Sequence, residues 1–192
     1  MTRITKSVPE RRQELIDTAR ALFIEQGFDK TQVSDISKKM NVAQGLVYHY
    51  FKSKTEILYA VIDELADEHL KAIEALLSGT QGTALDRLSI FLSSQPDFDK
   101  FDKLIPSIAN DSAIAEYCSN KMATSTGPLL LSLIEQGNAD GSWNCEYPKE
   151  TAVFILRGVN GLFTDLPFPG ADTRMKKVFT NMFARILGFS QE

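Results

Sequence analysis

Cysteine and histidine are scarce in this 192-residue chain, at two each: Cys118, Cys145, His49 and His69. The cysteines stand far apart and beside no histidine cluster, so no metal site is expected. Long apolar runs are also missing. None approaches the roughly 18 residues needed to cross a bilayer, and the basic start MTRITKSVPERR has no apolar core or cleavage-like site of a signal peptide. No membrane partner is expected, and the cytoplasm is the simplest location. No alternating stretch is long enough for a sheet. Gly-rich phosphate loops, a serine elbow and paired catalytic carboxylates are absent too. No catalytic residue and no cofactor are therefore expected, and an enzyme is excluded. Asp97, Asp99 and Asp102 form a small acidic group, but they alternate with Phe98 and Phe101, which suits an exposed helix start.

What is present is an ordinary globular composition, 43% apolar and 24% charged, long enough for a small module and a larger domain. The net charge of −4 argues against nucleic acid until the chain is divided. Residues 1–56 carry ten Lys or Arg against seven Asp or Glu, and residues 57–192 carry eleven against eighteen. A basic end on an acidic body fits docking on phosphates through one end.

The stretch from Val33 to Lys54, VSDISKKMNVAQGLVYHYFKSK, carries the strongest signal. Val33, Ile36 and Met40 have the spacing of one buried helical face. Asn41 follows where the chain must turn, and Asn tolerates the left-handed conformation. Val42 then plugs the gap between two helices. The second helix buries Val47 and Phe51 and turns Gln44, Gly45, Tyr48 and His49 outward. This is a helix-turn-helix, whose second helix enters the major groove. A preceding helix over 9–28 places Leu15, Ile16, Ala19, Leu22 and Phe23 on one face and closes at Gly27.

The run 10–58 resembles the DNA-binding domain of the TetR family of bacterial regulators. The matching elements are Ala19, Leu22-Phe23 and Gly27-Phe28, then Thr31, Val33 and Asp35-Ile36, then Gly45 and Val47 to Lys54. The resemblance implies an all-α protein of about nine helices. A helix-turn-helix domain, 1–53, would precede a larger helical effector-binding and dimerisation domain, 54–192. It implies a transcriptional regulator, most simply a repressor, that binds a palindromic double-stranded operator as a homodimer and responds to a small molecule. The alternative is a DNA-binding regulator controlled by a protein partner, with no small-molecule pocket.

Expected DNA contacts follow from chemistry and position. Gln44 can bond adenine at two points, and Gly45 lets the backbone approach the duplex. Leu46 departs from the small polar residue usual in the family; it would pack on a thymine methyl or lie at the rim. Tyr48 and His49 match positions that family members set against phosphate or base edges. Lys52 and Lys54 are phosphate clamps. Thr31 caps the second helix and offers its hydroxyl or nearby amides to a phosphate. Tyr50 packs on the fourth helix.

Beyond the motif, Ser53 and Glu56 form a capping box that starts a helix over about 54–77, ended by Gly79 and Gly82. Helices follow at 83–94, 98–108 and 111–137, the last interrupted or kinked at Gly127-Pro128. A turn cluster, 137–141, leads to helices at about 148–166 and 171–187, separated by a break at 167–170. The last two are apolar around more of their circumference than one core requires. Family resemblance makes them the dimer interface, through Phe154, Leu162, Met175, Val178, Phe179 and Met182. It also places an effector cavity among helices of 54–166, with Phe91, Phe98, Phe101, Tyr117, Met122, Phe154, Arg157, Asn160 and Phe163 as candidate lining. An aromatic and methionine set at helical spacing is equally plain core. Arg157 and Asn160 stand out as polar groups within an apolar helix, suited to a ligand carboxylate or to bonds across the dimer.

Overall fold

The structure is a computed structural model that describes residues 7–94, 110–165 and 173–189, excluding the side chains of 160, 162–165 and 173–176. The described residues form eight α-helices and no strand. They are α1 (Val8–Gln26), α2 (Val33–Lys39), α3 (Gln44–Tyr50), α4 (Lys54–Ser78), α5 (Ala84–Ser93), α6 (Ser112–Asp140), α7 (Pro148–Asp165) and α8 (Thr173–Leu187). The additional helix expected at 98–108 and the break at 167–170 lie outside the described residues.

Residues 7–65 and 110–118 belong to a first compact unit. Its α1 begins with a capping box, in which the Ser7 hydroxyl accepts from the Glu10 amide and the Glu10 carboxylate accepts from Ser7 N–H at 2.7 Å. It ends at Gly27, whose φ of 89° is strained for any side chain. Leu15, Ile16, Ala19 and Phe23 are fully buried with Ile36 of α2 and Val47 of α3. Ile57, Leu58 and Val61 of α4 complete this core, joined by Ile114 of α6. The packing therefore carries the first unit past the expected boundary at 53/54.

Residues 66–94, 119–165 and 173–189 belong to the second unit. Leu88 and Leu92 of α5, Leu130 and Ile134 of α6, Ile155 of α7 and Phe179, Phe183 and Leu187 of α8 share its main core. The expected interruption at Gly127-Pro128 does not occur: α6 runs through Pro128. A proline inside a helix costs about 3 kcal/mol. Here the next turns bury Leu130, Leu133 and Ile134 almost completely, which offsets that loss. Their burial contributes roughly 1.5–3 kcal/mol per side chain.

The turn cluster also begins later than expected, at Gly141 instead of Gly137. Gly137 stays helical because the indole of Trp143 lies against it, 5% exposed, with Nε1 donating to the Ile134 carbonyl at 2.9 Å. A Cβ on Gly137 would fall 1.9 Å from Trp143 Cε2. Gly137→Ala is therefore expected to destabilise the protein by about 1–3 kcal/mol, despite alanine's better helix propensity. Chemical denaturation checks this; an unchanged or raised midpoint would contradict it.

Candidate nucleic-acid interface

The turn between α2 and α3 is built on Asn41, whose φ of 53° is the one positive value at a non-glycine among the described residues. Val42 N–H donates to the Ser37 carbonyl at 3.0 Å, closing the turn behind it. Val47 and Phe51, 0% and 2% exposed, fix α3 to the first core. The opposite side presents Gln44, Gly45, Tyr48 and His49, all exposed, and Leu46 is half-buried beside them. His49 meets the half-buried Tyr50 edge-on, at 5.3 Å between centroids. Tyr50 itself packs against the first core, which includes residues of α4.

Gly45 has no structural reason within the protein. A Cβ there would meet nothing within 4 Å, and its φ is not in the left-handed region. Glycine inside a helix is less stable than alanine by about 0.5–1 kcal/mol. The glycine therefore leaves the α3 backbone uncovered at an exposed position.

Two of the expected contacts are placed differently. Thr31 is fully buried. Its hydroxyl donates to the Gly27 carbonyl at 2.7 Å and accepts from Gln26 Nε2 at 3.1 Å. The residue at the N-terminus of α2 is Gln32, not Thr31, and its amide is taken by the Asp35 carboxylate at 2.9 Å. Thr31 is thus a brace inside the turn, with its hydroxyl spent on the protein. Lys54 is likewise turned inward, its ammonium donating to the carbonyls of Phe28 at 2.8 Å and Thr31 at 2.9 Å. The Ser53–Glu56 box is also only half as expected. Glu56 N–H donates to Ser53 Oγ at 3.0 Å, but the Glu56 carboxylate accepts from Lys52 N–H at 2.6 Å.

Lys52 keeps its exposed ammonium just beyond α3. Arg12, not anticipated from sequence, joins it: its guanidinium lies 5.0 Å from the ring centroid of Phe51, the residue that follows α3. Only the basic run Arg11-Arg12 hinted at this, and its partner lies far along the chain.

Among the described candidate effector residues, Phe154 and Arg157 line one open depression together. Phe91 packs between the main core and a smaller cluster of Ile73, Leu77 and Leu133. Met122 is half-buried, and Phe154 is 68% exposed. Arg157 is exposed and donates to Asn120 Oδ1 at 2.6 Å. Phe98 and Phe101, and the side chains of Asn160 and Phe163, lie outside the described residues. One open depression on the second unit is lined by Lys149, Glu150, Val153, Phe154 and Arg157. Another is lined by Leu76, Ser89, Ile90, Ser93 and Ser94.

Tyr117 belongs to the first unit. Its ring stacks on Tyr59 at 4.0 Å and its hydroxyl donates to Asp63 Oδ1 at 3.0 Å. Burial first, then the Asp63 carboxylate, pushes the phenol up from 10.0 to about 12. The folded state then holds this proton where the unfolded chain has lost it. The contribution is complete below about pH 10 and disappears as pH rises through about 12. Tyr117→Phe is expected to weaken the fall in stability across that window, read by denaturation at stepped pH. A profile parallel to the wild type would contradict this.

Among known sequences, the family model for "Bacterial regulatory proteins, tetR family" matches residues 15–61, the segment that builds α1 to α3 and the start of α4. That segment is of the tetR-family type. The HTH-type transcriptional regulator HbdR of Aromatoleum sp. (strain CIB) is 35% identical over 74 residues, 38% of this chain and 32% of HbdR. Such matches span about a third of those relatives' length. The HTH-type transcriptional repressor KstR2 of Rhodococcus jostii (strain RHA1) is 29% identical over 157 residues, 77% of this chain and 74% of KstR2. Among solved structures, RolR in complex with its ligand resorcinol superposes with a TM-score of 0.71 at 17% identity, covering 95% of this chain and 89% of RolR. That likeness establishes that this chain shares the all-helical fold.

Proposed function

We propose that this protein is a transcriptional repressor that binds a palindromic operator as a homodimer and releases it when a small molecule binds the second unit. The observation that carries the reading is the outward face of α3. A glycine that the fold does not require lies between Gln44 and Leu46 there, on a helix anchored by Val47 and Phe51. On that face Gln44 would make two hydrogen bonds to an adenine edge, Leu46 would pack on a thymine methyl, and Tyr48 and His49 would meet base edges or phosphates. Lys52 and Arg12 are the phosphate contacts. KstR2's description as a repressor and RolR's complex with resorcinol support the direction of control and a small-molecule effector.

Homodimerisation is supported by the last two helices. In α8, Phe179, Phe183 and Leu187 face the core, while Met182 and Ile186 remain 44% and 41% exposed. Val153 and Phe154 of α7 are 55% and 68% exposed. Two copies joined there would bring two reading helices to two half-sites.

Gly45→Ala tests the reading. The substitution should raise stability by about 0.5–1 kcal/mol, because the methyl group meets only open space. It should nevertheless weaken binding to operator DNA, because the methyl holds the backbone away from the duplex. Melting curves and gel shifts on one preparation decide it. Equal or tighter operator binding by the stabilised variant would reject α3 as the reading surface. Control by a small molecule is tested separately by a thermal-shift screen. A ligand selective for the folded state at about 100 times its Kd adds roughly 2.7 kcal/mol.

A further inference from the structure

We propose that Lys54 is a positioning residue for DNA reading, which locks the turn before α2 to the start of α4, and that it makes no phosphate contact. The inference rests on the proposed DNA-binding function and changes how that function is built.

The ammonium has three protons, and the structure accounts for each. The carbonyls of Phe28 and Thr31 accept at 2.8 and 2.9 Å, and that of Asp29 lies at 3.5 Å. The nitrogen also sits 4.1 Å from the centroid of the Phe28 ring, whose face attracts a cation. These carbonyls belong to the turn between α1 and α2, where helical partners are lacking. A lysine chain supplies a compact donor that can serve several of them at once.

The same turn is tied from its other side by Thr31, whose hydroxyl donates to the Gly27 carbonyl. Thr31 and Lys54 together fix where α2 begins. Lys54 opens α4, only four residues after α3 ends at Tyr50. One side chain therefore joins the chain before the helix-turn-helix to the chain after it. A DNA phosphate could engage this ammonium only by displacing at least one carbonyl from it. Lys52, exposed two residues earlier, carries no such ties on its ammonium among the described residues.

The test compares Lys54→Met, which keeps the apolar stem over Phe28, with Lys52→Met. For Lys52→Met, the slope of log affinity against log salt should shrink by about 0.9 for each phosphate that is no longer neutralised. For Lys54→Met, the slope should stay unchanged. Affinity for the operator should fall about tenfold or more, affinity for random duplex should hold, and Tm should drop by roughly 5 °C. A reduced salt slope for Lys54→Met would make Lys54 a phosphate ligand. A lower Tm with unchanged operator affinity would make its role merely structural. Either result overturns the proposal.

Lysine acylation of the wild-type protein decides the matter even if Lys54→Met does not fold. Lys54 should be unreactive both free and on DNA, while Lys52 should react when free and be protected by DNA. A Lys54 that reacts in the free protein overturns the proposal. Wild-type protein that binds no DNA at all would sink the proposed function instead, and the free-protein acylation pattern would still report whether the ammonium is tied to the turn.

Discussion

Phe179→Glu is expected to unfold the second unit, whereas Met182→Glu, three residues later on the same helix, should leave it folded and abolish dimers. Phe179 is 3% exposed and packs among Leu88, Leu130, Ile134 and Ile155. A glutamate there would be a buried, unpaired charge, destabilising by about 3–5 kcal/mol or more. That is a large part of the roughly 5–15 kcal/mol that holds a domain together. Met182 is 44% exposed, so in a single subunit its replacement should change stability by only about 0.5 kcal/mol. Facing a second copy, the same charge would be buried across the two-fold axis against itself. Circular dichroism should show lost helix for Phe179→Glu, and sedimentation should show folded monomers for Met182→Glu. A folded Phe179→Glu, or a Met182→Glu that remains dimeric, would contradict this division of α8 into an inner and an outer face.

The second large effect is expected at Gln44. Two hydrogen bonds to one adenine are worth about 1–3 kcal/mol of discrimination in each half-site. A dimer lacking both pairs should therefore lose roughly 2–6 kcal/mol on its best operator. The loss should be confined to one symmetric pair of positions: operators altered there should bind Gln44→Ala as well as the original does. Binding titrations on a panel of single-position operators read this directly. Equal loss on operator and random duplex would move Gln44 to the phosphates.

The helix-turn-helix was the most legible part of the sequence. Its boundaries depend on local rules: the period of Val33 and Ile36, the left-handed Asn41, and the four-residue spacing of Val47 and Phe51. The inward direction of Lys54 and Thr31 was not legible, because position beside α3 says nothing about the direction of a side chain. The Lys54 partners Phe28 and Thr31 lie 26 and 23 residues earlier, and only the folded turn gathers their carbonyls. Helix α8 was legible as doubly apolar, but not as to which stripe faces in. Phe179 and Met182 are both large and apolar, and only packing against α5 and α6 separates them. Gly137 read as a turn residue because the side chain that requires it, Trp143, lies beyond the helix end. The candidate effector set was the least legible. Aromatic residues at helical spacing serve a core and a cavity equally well, and Tyr117 proves to be tied to Tyr59 and Asp63 in the first unit.

The central claim, that paired copies of α3 read a two-fold symmetric DNA sequence, is tested most directly by selecting binders from a pool of random duplexes. The purified wild-type protein is expected to enrich one palindrome whose half-sites lie about one helical turn apart. The Gln44→Ala protein should enrich the same palindrome with its preference lost at one symmetric pair of positions. A pool that yields no symmetric motif, or a motif left intact by Gln44→Ala, Gly45→Ala and Leu46→Ala alike, would contradict the account.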